Sequence, residues 1–280
     1  PARTPPPNTT ASGWVEIPDP QDPSADPRFD RHGFKRPAAA MEHQLASEAV
    51  YEAQAAEQER CWELYSSGDA LPGARDVRRL CRRGVPAGLR KHVWPHVLGV
   101  EGLRASAGPG YFAALLEEAL RGRVQPLTRQ IEMDLRRTFP GHATLSEPAG
   151  QEQLRQVLMA YAQRDPGVGY VQGMGLIAAL MLIVVGDTEL AFWCLAAVIE
   201  ARLPARYFDA ELCGARVEMA VFADLLEGLL PTVATTLHDS GVSPELYATR
   251  WYVGLARCPR RRRCAVSAAR PKPILGQWPY

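Results

Sequence analysis

Thirteen consecutive residues, Gly173 to Val185 (GMGLIAALMLIVV), carry no charged, hydroxyl or amide side chain. A membrane-spanning helix needs roughly 18 such residues or more, so this run reads as a helix buried in a protein core. Immediately before it stands Gly169-Tyr170-Val171-Gln172-Gly173-Met174. A carboxamide at the mouth of a buried helix is costly unless it has a partner or a task. Upstream, residues 131–140 (IEMDLRRTFP) set Arg137 just ahead of a Thr-Phe-Pro turn. Whether Arg137 and Gln172 come together is the question the sequence poses.

The rest of the chain supplies helices to bury that run. Residues 41–67 are rich in Ala, Glu and Gln, with Gly68 as a stop, and residues 76–83 form a short basic helix. Gly84-Val85-Pro86 breaks the chain, and Leu89, Val93 and Val97 then share a helical face. Pro95 is expected to kink that helix or end it early. Residues 111–121 form another helix, and Pro126 opens a polar linker. Leu154, Val157, Leu158 and Tyr161 mark an amphipathic helix that ends at Asp165-Pro166-Gly167. Helices follow over 189–202, 217–230, 231–237 and 244–252, the third of these from the end facing inward with Val221, Phe222, Leu225 and Leu229. No run alternates as strands do and no repeat is present. The fold class is all-α.

The ends differ from this middle. Residues 1–40 hold many prolines and few large apolar groups, which predicts a largely disordered segment. Trp14 to Ile17 and Phe29 to Phe34 are exceptions able to dock, although a solvated tail is the favoured reading. Residues 41–83 are a helical lead-in, 84–252 the main domain, and 253–280 a basic tail with Arg257, Arg260 to Arg263 and four prolines. That tail is expected to be solvated and disordered. The N-terminus has no apolar stretch of signal-peptide type. The six cysteines are scattered without a CxxC pair, so free thiols in a reducing compartment are expected. A net charge of +1 provides no general attraction to nucleic acid or membranes.

Several chemistries lack their residues. There is no GxSxG and no GxxxxGK[ST]. Gly173-Met174-Gly175-Leu176-Ile177-Ala178 matches GxGxxA in letters but lacks the strand that such a dinucleotide site follows. His92 and His96 stand four apart without the glutamate of HExxH, so neither a metal nor a cofactor is expected. The basic cluster is short and lacks interleaved aromatics, which argues against nucleic acid. Arg137 and Gln172 remain. An arginine supplied in trans stabilises the charge of phosphoryl transfer, and a carboxamide orients attacking water. By residue type alone, a solvated or capping Arg and a locally bonded Gln are the more ordinary readings.

The two stretches together carry a resemblance. Ile131-x-x-Asp134-x-x-Arg137 followed by Thr138-Phe139-Pro140 is similar to the IxxDxxR motif of TBC domains, and Tyr170-Val171-Gln172 to their YxQ motif. Gly84-Val85-Pro86 with Leu89-Arg90 and Trp94 resembles the opening of that domain, and Phe192-Trp193 part of the helix after YxQ. Asp30 to Pro37 (DRHGFKRP) resembles one branch of the family. The resemblance covers residues 84–252. It implies an all-helical domain that activates Rab-type GTPases in the cytoplasm, in vesicle trafficking, with the GTP-bound Rab as partner. Arg137 and Gln172 would be the catalytic fingers. Asp134 would hold the finger loop, with Tyr170, Ile131 and Thr138 in support. Members of the family continue through further helices where this sequence turns basic after Arg250-Trp251-Tyr252, so the C-terminal helices are expected to be missing. The alternative function is therefore a truncated Rab-binding or regulatory module without catalysis.

Overall fold

Leu154, Val157, Leu158 and Tyr161 on one helix, and Met174, Ile177, Ala178, Met181 and Leu182 on the next, are all nearly inaccessible to solvent. They meet each other and a third helix in one continuous core. The computed structural model describes residues 28–30, 32–36, 41–63, 73–122, 125–204, 206–209 and 211–254. Among these residues the regular elements are helices joined by turns and loops, with two isolated β-bridges, Phe29–Lys35 and Phe34–His142. The helices in chain order are α1 Met41–Glu63, α2 Ala74–Cys81, α3 Ala87–Leu98, α4 Val100–Ala107, α5 Tyr111–Gly122, α6 Gln125–Leu135, α7 Pro148–Arg164, α8 Met174–Val185, α9 Thr188–Ala201, α10 Cys213–Leu229, α11 Pro231–Asp239 and α12 Pro244–Val253.

The apolar run is α8, as its composition requires. It packs against α7 and α9. α9 is buried from Ala191 to Val198 because α3, α4, α7 and α8 surround it. Its first turn is closed by Asp187, whose carboxylate accepts the Leu190 N–H at 2.7 Å, a capping bond that satisfies an otherwise orphan donor. Phe192 lies 5.2 Å from Phe112 of α5, and Arg164 of α7 pairs with Glu200 of α9 while stacking over Tyr111 and Trp193. A smaller cluster of Trp62, Val77, Leu80 and Val93 joins α1 and α2 to α3, and the Trp62 indole donates to the Gly84 carbonyl at 3.0 Å.

Four expectations are corrected. α3 does not end at Pro95 but runs on to Leu98. Val93 and Val100 are fully buried on either side of Pro95, and that packing outweighs one lost ladder bond. The polar linker expected after Pro126 is the start of α6. Pro126 occupies the second helical position, where a missing N–H leaves no bond unmade. On α10 the buried or half-buried row is Ala215, Met219, Phe222 and Leu226, while Val221, Leu225 and Leu229 are exposed, Leu229 by 74%. Residues 28–30 and 32–36, favoured as solvated tail, are folded against the loop between α6 and α7. The other residues of 1–40, including Trp14, and the basic cluster of the C-terminal tail lie outside the described residues.

Candidate functional site

α6 sends Ile131, Asp134 and Leu135 inward at helical spacing, and all three are buried. A buried carboxylate demands donors. Asp134 has one hydrogen-bond donor and one ion-pair partner, from different parts of the chain. Its Oδ2 accepts the Tyr170 hydroxyl at 2.5 Å, and its Oδ1 pairs with the Arg137 guanidinium. The Asp134 carbonyl is also occupied. It accepts the N–H groups of Arg137 and Thr138 at 3.1 and 2.9 Å and the Thr138 hydroxyl at 2.8 Å. Thr138 thus closes the C-terminal turn of α6, and the chain leaves the helix with Arg137 on its outer side.

Arg137 is anchored at its tip but open along its length, with 58% of its side chain accessible. Arg136 is exposed as well, but the ion pair to Asp134 is made by Arg137. Glu132, between the motif's fixed positions, binds Arg155 of α7 through both oxygens, and this hydrogen-bonded pairing holds its carboxyl below the usual range. α6 is thereby tied to α7 on one side and to the Tyr170 loop on the other.

Tyr170 is 5% exposed. Burial first, and then the bond to Asp134, raise its hydroxyl well above its ordinary range, so it remains a donor throughout physiological pH. Two residues later Gln172 points outward. It is exposed and makes no side-chain hydrogen bond among the described residues. Gly173 then enters α8 with φ +108°, a conformation that disfavours any side chain. A Cβ there would also sit 2.1 Å from Val253 Cγ1. The space that glycine leaves is filled by the last residue of α12, within the same chain. Gly175 has a comparable role two residues on, where a Cβ would lie 3.2 Å from the Thr138 hydroxyl and 3.4 Å from that of Tyr170.

Asp134 therefore connects the two exposed groups. One of its oxygens holds Arg137, and the other holds the tyrosine that begins the Tyr-Val-Gln sequence. Ile131 lies in the core and Thr138 in the turn that ends α6. Val253, His142 and Phe34 contribute to the same loops without having been singled out as site residues. The sole sequence cue to the last was the unusual DRHGFKRP segment. His92 is half-buried and His96 exposed, and among the described residues no cluster of three or more His, Cys, Asp or Glu is arranged to hold a metal.

An all-helical fold with Asp-Arg and Tyr-Gln stretches bound through one carboxylate defines a class, and comparison with known proteins gives its name. Residues 87–257 match the Rab-GTPase-TBC domain, and the chain belongs to that family. It is 32% identical to human growth hormone-regulated TBC protein 1 over 243 residues, covering 84% of this chain and 70% of that protein. It is 36% identical over 182 residues to TBC1 domain family member 2B of Xenopus tropicalis, covering 64% of this chain. It is 37% identical over 190 residues to human TBC1 domain family member 2A, covering 66%. The chain spans only 19–20% of the length of these last two relatives. The crystal structure of the Chlamydomonas flagellar RabGAP TBC domain superposes with a TM-score of 0.69 at 28% identity, covering 81% of this chain and 73% of that one. The Ypt/Rab-GAP domain of Gyp1p, 18% identical with a TM-score of 0.59 over 72% of this chain and 74% of that one, shares the fold.

Proposed function

We propose that this chain accelerates GTP hydrolysis by a Rab-type small GTPase in its GTP-bound form. It lends Arg137 and Gln172 to the partner's active site and holds no nucleotide of its own. The observation that carries the reading is the shared carboxylate. Arg137 and Tyr170 both bind Asp134, while the Arg137 side chain and Gln172 remain open to solvent. The Arg137 guanidinium would leave Asp134 by rotamer change and meet the charge that develops on the transferred phosphoryl group. Gln172 would orient the attacking water. An arginine finger is worth about 10³–10⁵ in rate, or about 4–7 kcal/mol of barrier. Asp134 acts through the loop it holds and touches no nucleotide.

Family membership supports the reading, as does the fold shared with a RabGAP TBC domain. The proposal places the chain in the cytoplasm, in vesicle trafficking, with membranes reached through the GTPase. No described helix is long and apolar enough to cross a membrane. Single-turnover GTP hydrolysis across a panel of Rab proteins tests it. Wild type should accelerate at least one Rab, Arg137→Ala should remove most of that acceleration, and Gln172→Ala a large part. Acceleration no greater than that of the Arg137→Ala, Gln172→Ala double variant would sink the proposal. One observation favours the second reading, a Rab-binding module without catalysis: the apolar row left exposed on α10. Binding to a GTP-bound Rab with no acceleration would favour that alternative.

A further inference from the structure

Residues 28–30 and 32–36, which hold most of the segment DRHGFKRP, make a small hairpin. Asp30 Oδ1 accepts the N–H groups of His32 and Phe34 at 2.9 Å each, and the Asp30 N–H donates to the Phe34 carbonyl at 2.8 Å. The Arg36 N–H donates to the Arg28 carbonyl at 2.7 Å and closes the open end. The hairpin lies on the loop that follows Arg137. The Lys35 N–H donates to the Gly141 carbonyl at 2.7 Å, and the Ala143 N–H to the Gly33 carbonyl at 2.8 Å. Between these bonds the Phe34 ring stands edge-on to Phe139 at 5.3 Å and to His142 at 4.9 Å. His142 is itself buried, and its Nδ1 accepts the N–H groups of Thr144 and Leu145, both at 3.2 Å.

The loop needs such a hold. Phe139, two residues past Arg137, has φ +50°, which an aromatic residue adopts only when its surroundings impose it. Thr138 fixes the loop from the α6 side, and the hairpin fixes it from the other.

We propose that the hairpin of residues 28–30 and 32–36 is a positioning element for Arg137, with Phe34 as its positioning residue. It sets the direction in which the loop presents the guanidinium, and it touches neither nucleotide nor the reacting atoms. The inference rests on the reading of Arg137 as the group lent to the GTPase. A segment that merely added stability would lower the melting temperature and spread its effect over the core. A positioning segment instead alters the loop and the catalytic rate while leaving partner affinity and the core unchanged.

The full chain carrying Phe34→Ala or Phe34→Tyr tests this by hydrogen exchange and by kinetics on a Rab that responds to wild type. For Phe34→Ala, exchange should rise across residues 137–143 and stay unchanged over α7, α8 and α9. The kcat should fall about tenfold, the direction expected when a positioned group is displaced. KM should hold within about twofold. Phe34→Tyr should restore both loop protection and kcat. Unchanged exchange in the loop, or unchanged kcat, would overturn the inference. So would a loss of protection throughout the core with kcat and KM shifting together. A wild-type chain that accelerates no Rab overturns the proposed function and the catalytic half of this inference, while loop exchange still decides whether the hairpin holds the loop.

Discussion

The bundle of α7, α8 and α9 is richer in apolar residues than the group of α10, α11 and α12, and the two also use theirs differently. In the first, every residue from Ala191 to Val198 is buried. In the second, α11 has no buried residue, and Val217, Leu225, Leu229, Leu230 and Leu246 are each more than half exposed. A helix between neighbours on several sides turns hydrophobic content into stability, and one with a single neighbour turns only one face. The candidate site stands on the boundary between the two. Asp134, on α6, and Tyr170, in the loop before α8, are buried beside the tight half, but the Gln172 loop closes on Val253 of the loose half. The arginine side of the pair is therefore the better fixed.

Four substitutions break or sharpen that contrast. The largest effect is expected from Phe192→Ala in α9, which empties a fully buried site and should cost about 3–5 kcal/mol in denaturant unfolding. A cost below about 1 kcal/mol would mean that the first bundle is not the tight half. Gly173→Ala comes next, at about 1–3 kcal/mol, since it meets both an unfavourable φ and the Val253 side chain. Its effect should show as faster hydrogen exchange over α12 with α9 unchanged.

Tyr170→Phe leaves the buried Asp134 Oδ2 without its donor and should cost about 1–3 kcal/mol near neutral pH. It also has a pH signature. The folded chain raises the hydroxyl above its ordinary value of 10.0, so the protonated form is favoured by folding. That contribution is fully present below about pH 10 and fades as the pH rises above it. Tyr170→Phe should flatten the alkaline loss of stability in part, because burial raises the Tyr161 hydroxyl too. An alkaline profile identical to wild type would show that the Tyr170 hydroxyl contributes nothing there. The smallest effect belongs to Leu225→Ser on α10, within about 0.5 kcal/mol. Its solubility should increase, because it removes part of an exposed apolar row. A loss of 2 kcal/mol, on the order of a core truncation, would place Leu225 in a core.

The bundle helices were legible because each has one answer. α7 carries a single apolar stripe, and α8 is apolar all round. α10 was misjudged for the opposite reason. Ala215, Met219, Phe222 and Leu226 form one row, and Val217, Val221, Leu225 and Leu229 form another. Periodicity finds both, but only the position of α12 selects the first. The start of α6 was hidden by Pro126, since a proline in a first turn looks the same in sequence as one in a linker.

At the site, spacing alone placed Asp134 and Arg137 within reach of each other, because three residues apart on one helical path is a neighbour relation. Spacing also put Gln172 at the entry of a buried helix. The bond between Asp134 and Tyr170 spans 36 residues, and no local rule predicts it. The same holds for the contact of Val253 with Gly173 and for the hairpin on the loop after Arg137. The sequence by itself determined an all-helical chain, a central buried helix and two polar stretches to account for. Only the tertiary structure decided that one carboxylate holds both stretches, because a buried charge is satisfied by whatever donors the packing of distant helices brings to it.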